Sequence, residues 1–232
     1  MTSRPRYHHG DLRSALLDAA ADVVAERGVA GFTLRESARR AGVSHAAPAH
    51  HFGSVTGLFT ALAARGFAAL TDTLAQARAA ARSDRARSAE AKGLDADLAA
   101  IMRAYVNFAR AEPDRFRLMF RTDLLDQTDP DFDAAARGTY TELTNVIRNQ
   151  RGEAPIDEAR LAEGMSANRI VEDILIGWCH VHGLAHLLLE GQLTVMKGED
   201  EEAFLDRLYA DHAPRLGRTL RAGVSTTPPD QI

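Results

Sequence analysis

The chain has 232 residues, 45% hydrophobic and 26% charged, with 28 basic side chains against 32 acidic ones. This length exceeds a single small helical module and suits a small domain joined to a larger one. The single cysteine, Cys179, excludes an intrachain disulfide framework, and no apolar run resembles a signal peptide or a membrane span, so we expect a cytoplasmic protein.

The first residues, 1–9, predict a flexible basic arm, because they carry Arg4 and Arg6 and show no apolar periodicity. Narrow minor grooves concentrate negative potential and attract inserted arginines, so both side chains are candidate DNA contacts. A solvated tail that binds nothing is equally compatible with this composition.

Residues 10–54 predict a three-helix domain. The first helix is amphipathic and is stopped by Gly28. Its apolar residues recur at helical spacing: Leu12, Leu16, Ala19, Ala20, Val23 and Val24.

The second and third helices predict a helix-turn-helix. Thr33 and Glu36 form a capping box that begins the second helix at Leu34, and Gly42 ends it. Ser44 then caps the third helix only two residues later. A connection this short turns the chain sharply and presents the third helix to a DNA groove.

The third helix is the candidate reader of DNA bases. Small Ala46 and Ala47 allow close approach and can contact a thymine methyl. Base or phosphate contacts are favoured for its histidines over a metal site or a pH switch, and an ordinary helical hairpin is the structural alternative. The predicted DNA contacts of the helix-turn-helix are Thr33, Arg35, Ser44, His45, Ala46, Ala47, His50 and His51.

The charge is unevenly distributed along the chain. Residues 1–67 carry eight arginines against five acidic residues, a net charge of +3, whereas the whole chain carries −4. The positive end therefore coincides with the predicted reader. Because phosphate contacts dominate affinity, so small a surplus predicts weak binding unless two copies act together.

These N-terminal motifs resemble the TetR family of transcriptional regulators. The resemblance covers roughly residues 10–62, and its most specific pieces are AERG, the TLxxxAxxAGVS pattern, and HF followed by a capping serine. Near residue 178, WCHVHGLAHLLLEG is similar to the Trp-His-Gly class of C-terminal domains in this family. The resemblance implies a homodimer that binds a palindromic operator, commonly as a repressor, and responds to a small effector.

Two departures from the family pattern lie where relatives commonly contact phosphate. Pro48 and Ala49 stand where a Leu-Tyr pair is usual, and Val55 replaces the lysine that usually begins the fourth helix. Pro48 allows a short or bent reader helix. A degenerate member that binds a ligand or a protein but has lost specific DNA binding is therefore the alternative function.

Residues 55–92 predict a long connecting helix, capped by Ser54, and a linker. Residues 93–222 predict an all-α ligand-binding and dimerisation domain, followed by a flexible tail, 223–232. The predicted helices of this ligand-binding domain cover about 94–108, a short segment from Pro113, 132–149, 157–190 and 201–221. Pro214 is expected to kink or split the last helix. The final two helices of two chains would pair as a four-helix bundle.

Aromatic residues on the C-terminal helices are candidates for a pocket that takes a partly apolar effector, with His182 as a polar anchor. Plain core packing is the more frequent role of such residues. The predicted ligand-binding residues are Tyr105, Phe108, Phe116, Met119, Phe120, Trp178 and His182. A metal site at Cys179, His182 and His186 is disfavoured by the helical rise. No catalytic or cofactor motif is present, so we expect neither an enzyme nor a cofactor.

Overall fold

The computed structural model describes residues 9–87, 93–155, 170–193 and 200–222, and within these ranges it contains helices and no strand. The all-α prediction is confirmed. The α-helices are α1 His9–Arg27, α2 Leu34–Arg40, α3 Ala47–Phe52, α4 Val55–Arg87, α5 Gly93–Ala111, α6 Pro113–Met119, α7 Pro130–Gln150, α8 Ile170–Leu189 and α9 Glu201–Ala222. None of the described helices is both long and apolar enough to cross a bilayer.

The chain divides into two compact units. The N-terminal unit contains the described residues up to Ala69 together with Glu112–Ala136, and the C-terminal unit contains Leu70–Ala111 and the described residues from Arg137 onward. The segment 112–136 thus groups with the helix-turn-helix, although it lies within the range 93–222 expected for the ligand-binding domain.

In the N-terminal unit, α6 packs against α1, and α2 packs against both α1 and α3. Phenylalanine rings meet in its core, where Phe67 lies 5.4 Å from Phe120 and 5.7 Å from Phe132, measured between ring centroids. Gly66 of α4 leaves room for α6, because a Cβ atom there would lie 2.7 Å from the Met119 sulfur. The reader helices therefore share one core with a segment that is distant in sequence.

In the C-terminal unit, α5 packs against both α8 and α9. Its inward face carries fully buried apolar residues, including Ile101 and Val106. Polar side chains join α7 to the second half of α4: Arg78 donates to Glu142 over 2.8 Å, and the hydroxyls of Thr71 and Thr139 lie 2.7 Å apart. This interior combines apolar packing with hydrogen-bonded polar groups.

The predicted helix ends mostly match the structure. Gly28 and Gly42 have φ angles of +67° and end α1 and α2, and Pro113 is the first residue of α6. Pro214 was expected to kink or split the last helix. It does not split it, since α9 runs from Glu201 to Ala222 with Pro214 inside it, and the kink stays a prediction. The predicted helix 157–190 is described only from Ile170. The arm residues 1–8, the linker residues 88–92 and the tail 223–232 lie outside the described residues.

Candidate functional sites

The start of α2 is fixed by the predicted threonine cap. Thr33 has extended backbone geometry, and its hydroxyl accepts a hydrogen bond from the Glu36 amide over 3.2 Å. The carboxylate of Glu36 does not complete the capping box. It accepts instead from the guanidinium groups of Arg39, Arg40 and Arg27. The hydrogen bonds from Arg39 and then Arg40 lower the pKa of Glu36 to about 2.

Most arginines of the reader region are already paired. Three of them bind Glu36, Arg40 also binds Glu26, and Arg65 binds Asp18. The guanidinium of Arg13 lies 5.2 Å from the centroid of the Phe52 ring. Between residues 12 and 69, Arg35 is the arginine that is exposed and makes neither kind of contact. Few of the arginines in this region are therefore left unpaired to contact phosphate.

The turn before the reader helix differs from the prediction. The expectation that the Ser44 side chain caps α3 is wrong: the backbone carbonyl of Ser44 accepts from the Ala47 amide over 3.0 Å, and the residue at the N-cap is Ala46. The helix begins two residues later than expected. This start places Pro48 in the first helical turn, where its missing N–H breaks no helical hydrogen bond.

The contact residues predicted for the reader helix consequently occupy two elements. Those in the turn are Ser44, His45 and Ala46, all exposed, and those in α3 are Ala47, His50 and His51. The rings of His50 and His51 meet edge to face with centroids 5.4 Å apart. The Ser54 side chain caps α4 as predicted, accepting from the Gly57 amide over 3.0 Å. Arg4 and Arg6 lie outside the described residues.

Three of the predicted ligand-binding residues come together in the C-terminal unit. Tyr105 is 1% exposed, and its hydroxyl accepts from the Trp178 indole N–H over 3.2 Å and lies 2.9 Å from His182 Nδ1. Which of these two groups donates depends on the tautomer of His182, since both the hydroxyl and the imidazole nitrogen can donate or accept. Burial, and then the neighbouring His186, lower the pKa of His182 to about 4, which favours the neutral ring.

The other four predicted ligand-binding residues do not join this cluster as a group. Phe108 is buried on α5 in the C-terminal unit. Phe116, Met119 and Phe120 belong to the N-terminal unit, where the rings of Phe116 and Phe120 lie 5.1 Å apart. These three side chains fill the core beside the reader helices, so a common pocket with Tyr105 stays a prediction.

Several buried polar atoms in the C-terminal unit were not predicted from the sequence. Arg78 and Glu142 form a pair whose side chains are only 17% and 16% exposed. Among the described residues, the buried atoms Arg78 Nε, Glu142 Oε2, Thr141 Oγ1, Tyr209 Oη and His212 Nε2 have no hydrogen-bond partner. Which distant residues meet is not encoded in local spacing, so no motif could have revealed them. No group of three or more potential metal ligands occurs in the described part of the chain.

The fold and the capped helix pair define a two-unit helix-turn-helix protein. The family description "Bacterial regulatory proteins, tetR family" matches residues 16–62, and "Tetracyclin repressor-like, C-terminal domain" matches residues 98–212. Together these two matches cover more than half of the chain. The chain belongs to the TetR family, whose members are DNA-binding transcriptional regulators.

Solved structures give the same architecture. A protein of unknown function from Rhodococcus sp. RHA1 is 29% identical with a TM-score of 0.68, over 94% of this chain and 100% of its own. The candidate regulatory protein SCO4313 is 25% identical with a TM-score of 0.62, over 90% and 98%. A candidate TetR-family regulator from Streptomyces coelicolor A3(2), at 18% identity and a TM-score of 0.51 over 92% and 89%, shares the fold. No curated protein matches this chain.

Proposed function

We propose that this regulator is a cytoplasmic repressor that binds a palindromic operator as a homodimer and releases it when a small effector binds. The observation that carries the proposal is the reader itself, in which a Thr33-capped α2 turns at Gly42 into α3 within a matched TetR-family domain. Two-fold symmetry would place two such readers about one DNA turn apart. No enzymatic activity is proposed.

Arg35 is the strongest candidate for a phosphate contact, because it is exposed and makes no ion pair within the described N-terminal unit. His45, Ala46 and Ala47 lie on the exposed turn and first residues of α3, where base edges can be reached. With so few unpaired cations, one reader would bind weakly. We therefore assign further affinity to the arm residues Arg4 and Arg6 and to the second copy.

Selection of duplexes from a random library with the full chain, followed by fluorescence anisotropy over a salt series, tests this assignment. Arg35→Ala should lower affinity for the selected duplex and reduce the slope of log affinity against log salt by about 1. Arg121→Ala is the matched control, since Arg121 is exposed in the same unit but pairs with Asp123. Equal slopes for both variants would remove Arg35 from the interface.

The exposed face of α8 supports dimerisation. Leu175, Ile176 and Leu187 are 44%, 39% and 40% exposed, and Ile176, Gly183 and Leu187 recur at helical spacing on one side of the helix. Such an apolar stripe fits a second copy of the same helix. Leu187→Asp should yield monomers in sedimentation equilibrium and weaken operator binding. Asn107→Asp, which adds the same charge to an exposed site on α5, should leave the dimer intact.

The Tyr105–Trp178–His182 cluster is our candidate for the effector's polar anchor. One residue, Glu112, separates the end of α5, which carries Tyr105, from the start of α6, which packs in the N-terminal unit. A shift of α5 would therefore be transmitted along the chain to α6. An effector that prefers one arrangement and an operator that prefers the other bind with reciprocal negative coupling. Calorimetry with an effector found by thermal-shift screening measures this coupling, and independent binding would contradict it.

Loss of DNA binding is the second candidate function. It is favoured by the paired arginines around Glu36 and by the exposed Val55, which stands where relatives have lysine. Enrichment of one sequence at low salt during the selection supports the repressor, whereas enrichment of none supports a degenerate receptor.

A further inference from the structure

Two tyrosines are fully buried in the C-terminal unit, and their hydroxyl groups differ in hydrogen bonding. Tyr105 and Tyr209 are each 1% exposed. The Tyr105 hydroxyl has hydrogen bonds with Trp178 and His182, whereas the Tyr209 hydroxyl has no hydrogen-bond partner among the described residues. A buried hydroxyl that bonds to nothing costs stability, and phenylalanine would fill the same volume without that cost. Tyr209 therefore points to a partner that the described residues do not supply.

Tyr209 lines a groove of about 440 Å³ between α5 and α9. This volume lies within the range of about 300–1,000 Å³ that is usual for small-molecule sites. Most of the lining is small and apolar: Ala96, Ala99, Ala100, Ala210, Ala213 and Pro214. The groove shares no residue with the Tyr105–Trp178–His182 cluster, so it is a separate candidate site.

The charged groups of the groove are compensated by one another. Arg103 pairs with Asp206 across the groove, and Asp95 accepts from Arg221 over 2.8 Å. A charged ligand would gain no unpaired counter-charge here and would lose its hydration. The occupant is therefore expected to be uncharged.

Two further features select an aromatic ligand with an oxygen acceptor. The Arg103 guanidinium lies 5.0 Å from the centroid of the Tyr209 ring and is 41% exposed in its side chain, so another flat ring can stack on it. Burial raises the pKa of Tyr209 to about 12, so the hydroxyl keeps its proton and is a donor. Alanine methyl groups offer the flat ring an apolar floor.

We infer that the α5–α9 groove binds an uncharged, planar aromatic carbonyl compound whose oxygen accepts a hydrogen bond from the Tyr209 hydroxyl. This site is independent of the proposed repressor function and of the effector anchor at Tyr105. Its occupant would hold α5 and α9 together through contacts with both helices.

Isothermal titration calorimetry of the full chain with chromone, a neutral bicyclic ketone, tests this site. We expect Tyr209→Phe to weaken chromone binding about five- to tenfold, the loss of one hydrogen bond, and to leave the melting temperature of the free protein unchanged or higher. Ala210→Phe should abolish binding, because this exposed residue lines the groove. Ala203→Phe, exposed on the same helix but outside the groove, should bind as the wild type does.

Tyr105→Phe separates this site from the effector anchor. Chromone binding that survives Tyr105→Phe but falls with Tyr209→Phe and Ala210→Phe supports the groove. Absence of wild-type binding, equal binding by wild type, Tyr209→Phe and Ala210→Phe, or a loss confined to Tyr105→Phe overturns it. If Tyr209→Phe does not fold, Ala210→Phe against Ala203→Phe decides alone. None of these results depends on whether the chain binds an operator.

Discussion

The two compact units differ in whether the polar groups buried inside them form hydrogen bonds. In the N-terminal unit the buried polar side chains Ser37 and Thr60 are both bonded: Ser37 donates to the Leu16 carbonyl, and Thr60 donates to the Thr56 carbonyl while accepting from the Asp126 amide. In the C-terminal unit, described atoms such as Glu142 Oε2 and Tyr209 Oη are buried without a hydrogen-bond partner. A satisfied aromatic core favours one rigid arrangement, whereas unsatisfied polar groups leave interactions that a ligand or a partner can complete.

The largest expected effect tests the rigid core. Phe116 is completely buried in the N-terminal unit, so Phe116→Ala should lower the free energy of unfolding by about 3–5 kcal/mol. Phe204→Ala, at a half-buried position on α9, should cost about 1 kcal/mol or less. Urea denaturation followed by circular dichroism measures both. Similar losses for the two variants would mean that the N-terminal core is not the more tightly packed one.

The Arg78–Glu142 pair offers a contrasting test in the C-terminal unit. Glu142→Leu leaves the largely buried Arg78 charge without its carboxylate and should cost about 3 kcal/mol. The double variant Arg78→Leu/Glu142→Leu removes both charges and should return to within about 1 kcal/mol of the wild type. A double variant as unstable as the single one would show that the pair contributes stability, not only a preferred arrangement.

Acid should weaken the C-terminal unit through His182. Its folded pKa is about 4 against an ordinary value of 6.5, so between these values the unfolded chain binds more protons. Stability is therefore fully present above about pH 6.5 and falls as the pH drops toward 4. Across this window, the denaturation midpoint should depend less steeply on pH in His182→Gln than in the wild type. Tyr105→Phe should keep most of the slope, because burial is the main cause of the shift.

The smallest effect concerns the ion-pair cluster around Glu36. Its pKa is lowered from 4.5 to about 2, so the stabilisation is present above about pH 4.5 and disappears as the pH falls through 2. Because two of its arginines, Arg27 and Arg39, have side chains that are 49% and 65% exposed, added salt should reduce this contribution. Thermal melts of the wild type and Glu36→Gln between pH 2 and 5 measure it. If the melting temperatures of the wild type and Glu36→Gln change in parallel between pH 2 and 5, the stabilisation does not come from the Glu36 carboxylate.

Local sequence signals were enough to predict most of the helices and the helix-turn-helix. Thr33, Ser54 and the turn glycines act through their immediate neighbours, so their roles can be read from spacing. The start of α3 was missed because two local preferences compete: a serine cap at Ser44 conflicts with the need to hold Pro48 in the first turn, and the proline prevails. The capping side chain of Ser44 therefore constrains the start of α3 less than the missing amide hydrogen of Pro48 does.

Long-range partners set the limit of prediction at the candidate sites. The arginines near Glu36 look available to DNA in a count of charges, yet they bind Glu26 and Glu36 in the folded unit. Likewise, Phe116 and Phe120 resemble pocket aromatics by composition, and only the packing of α6 on α1 places them with the reader. Both outcomes depend on contacts between residues that are far apart in the chain.

The contact between Gly66 and Met119 also restricts how this lineage can change. Any side chain at position 66 meets the Met119 thioether, so a replacement there requires either a shift of the flexible Met119 side chain or a smaller residue at position 119. Two positions 53 residues apart in the sequence are thereby expected to vary together among close relatives. A homologue with alanine at the first position and an unchanged methionine at the second would need a different rotamer of that methionine.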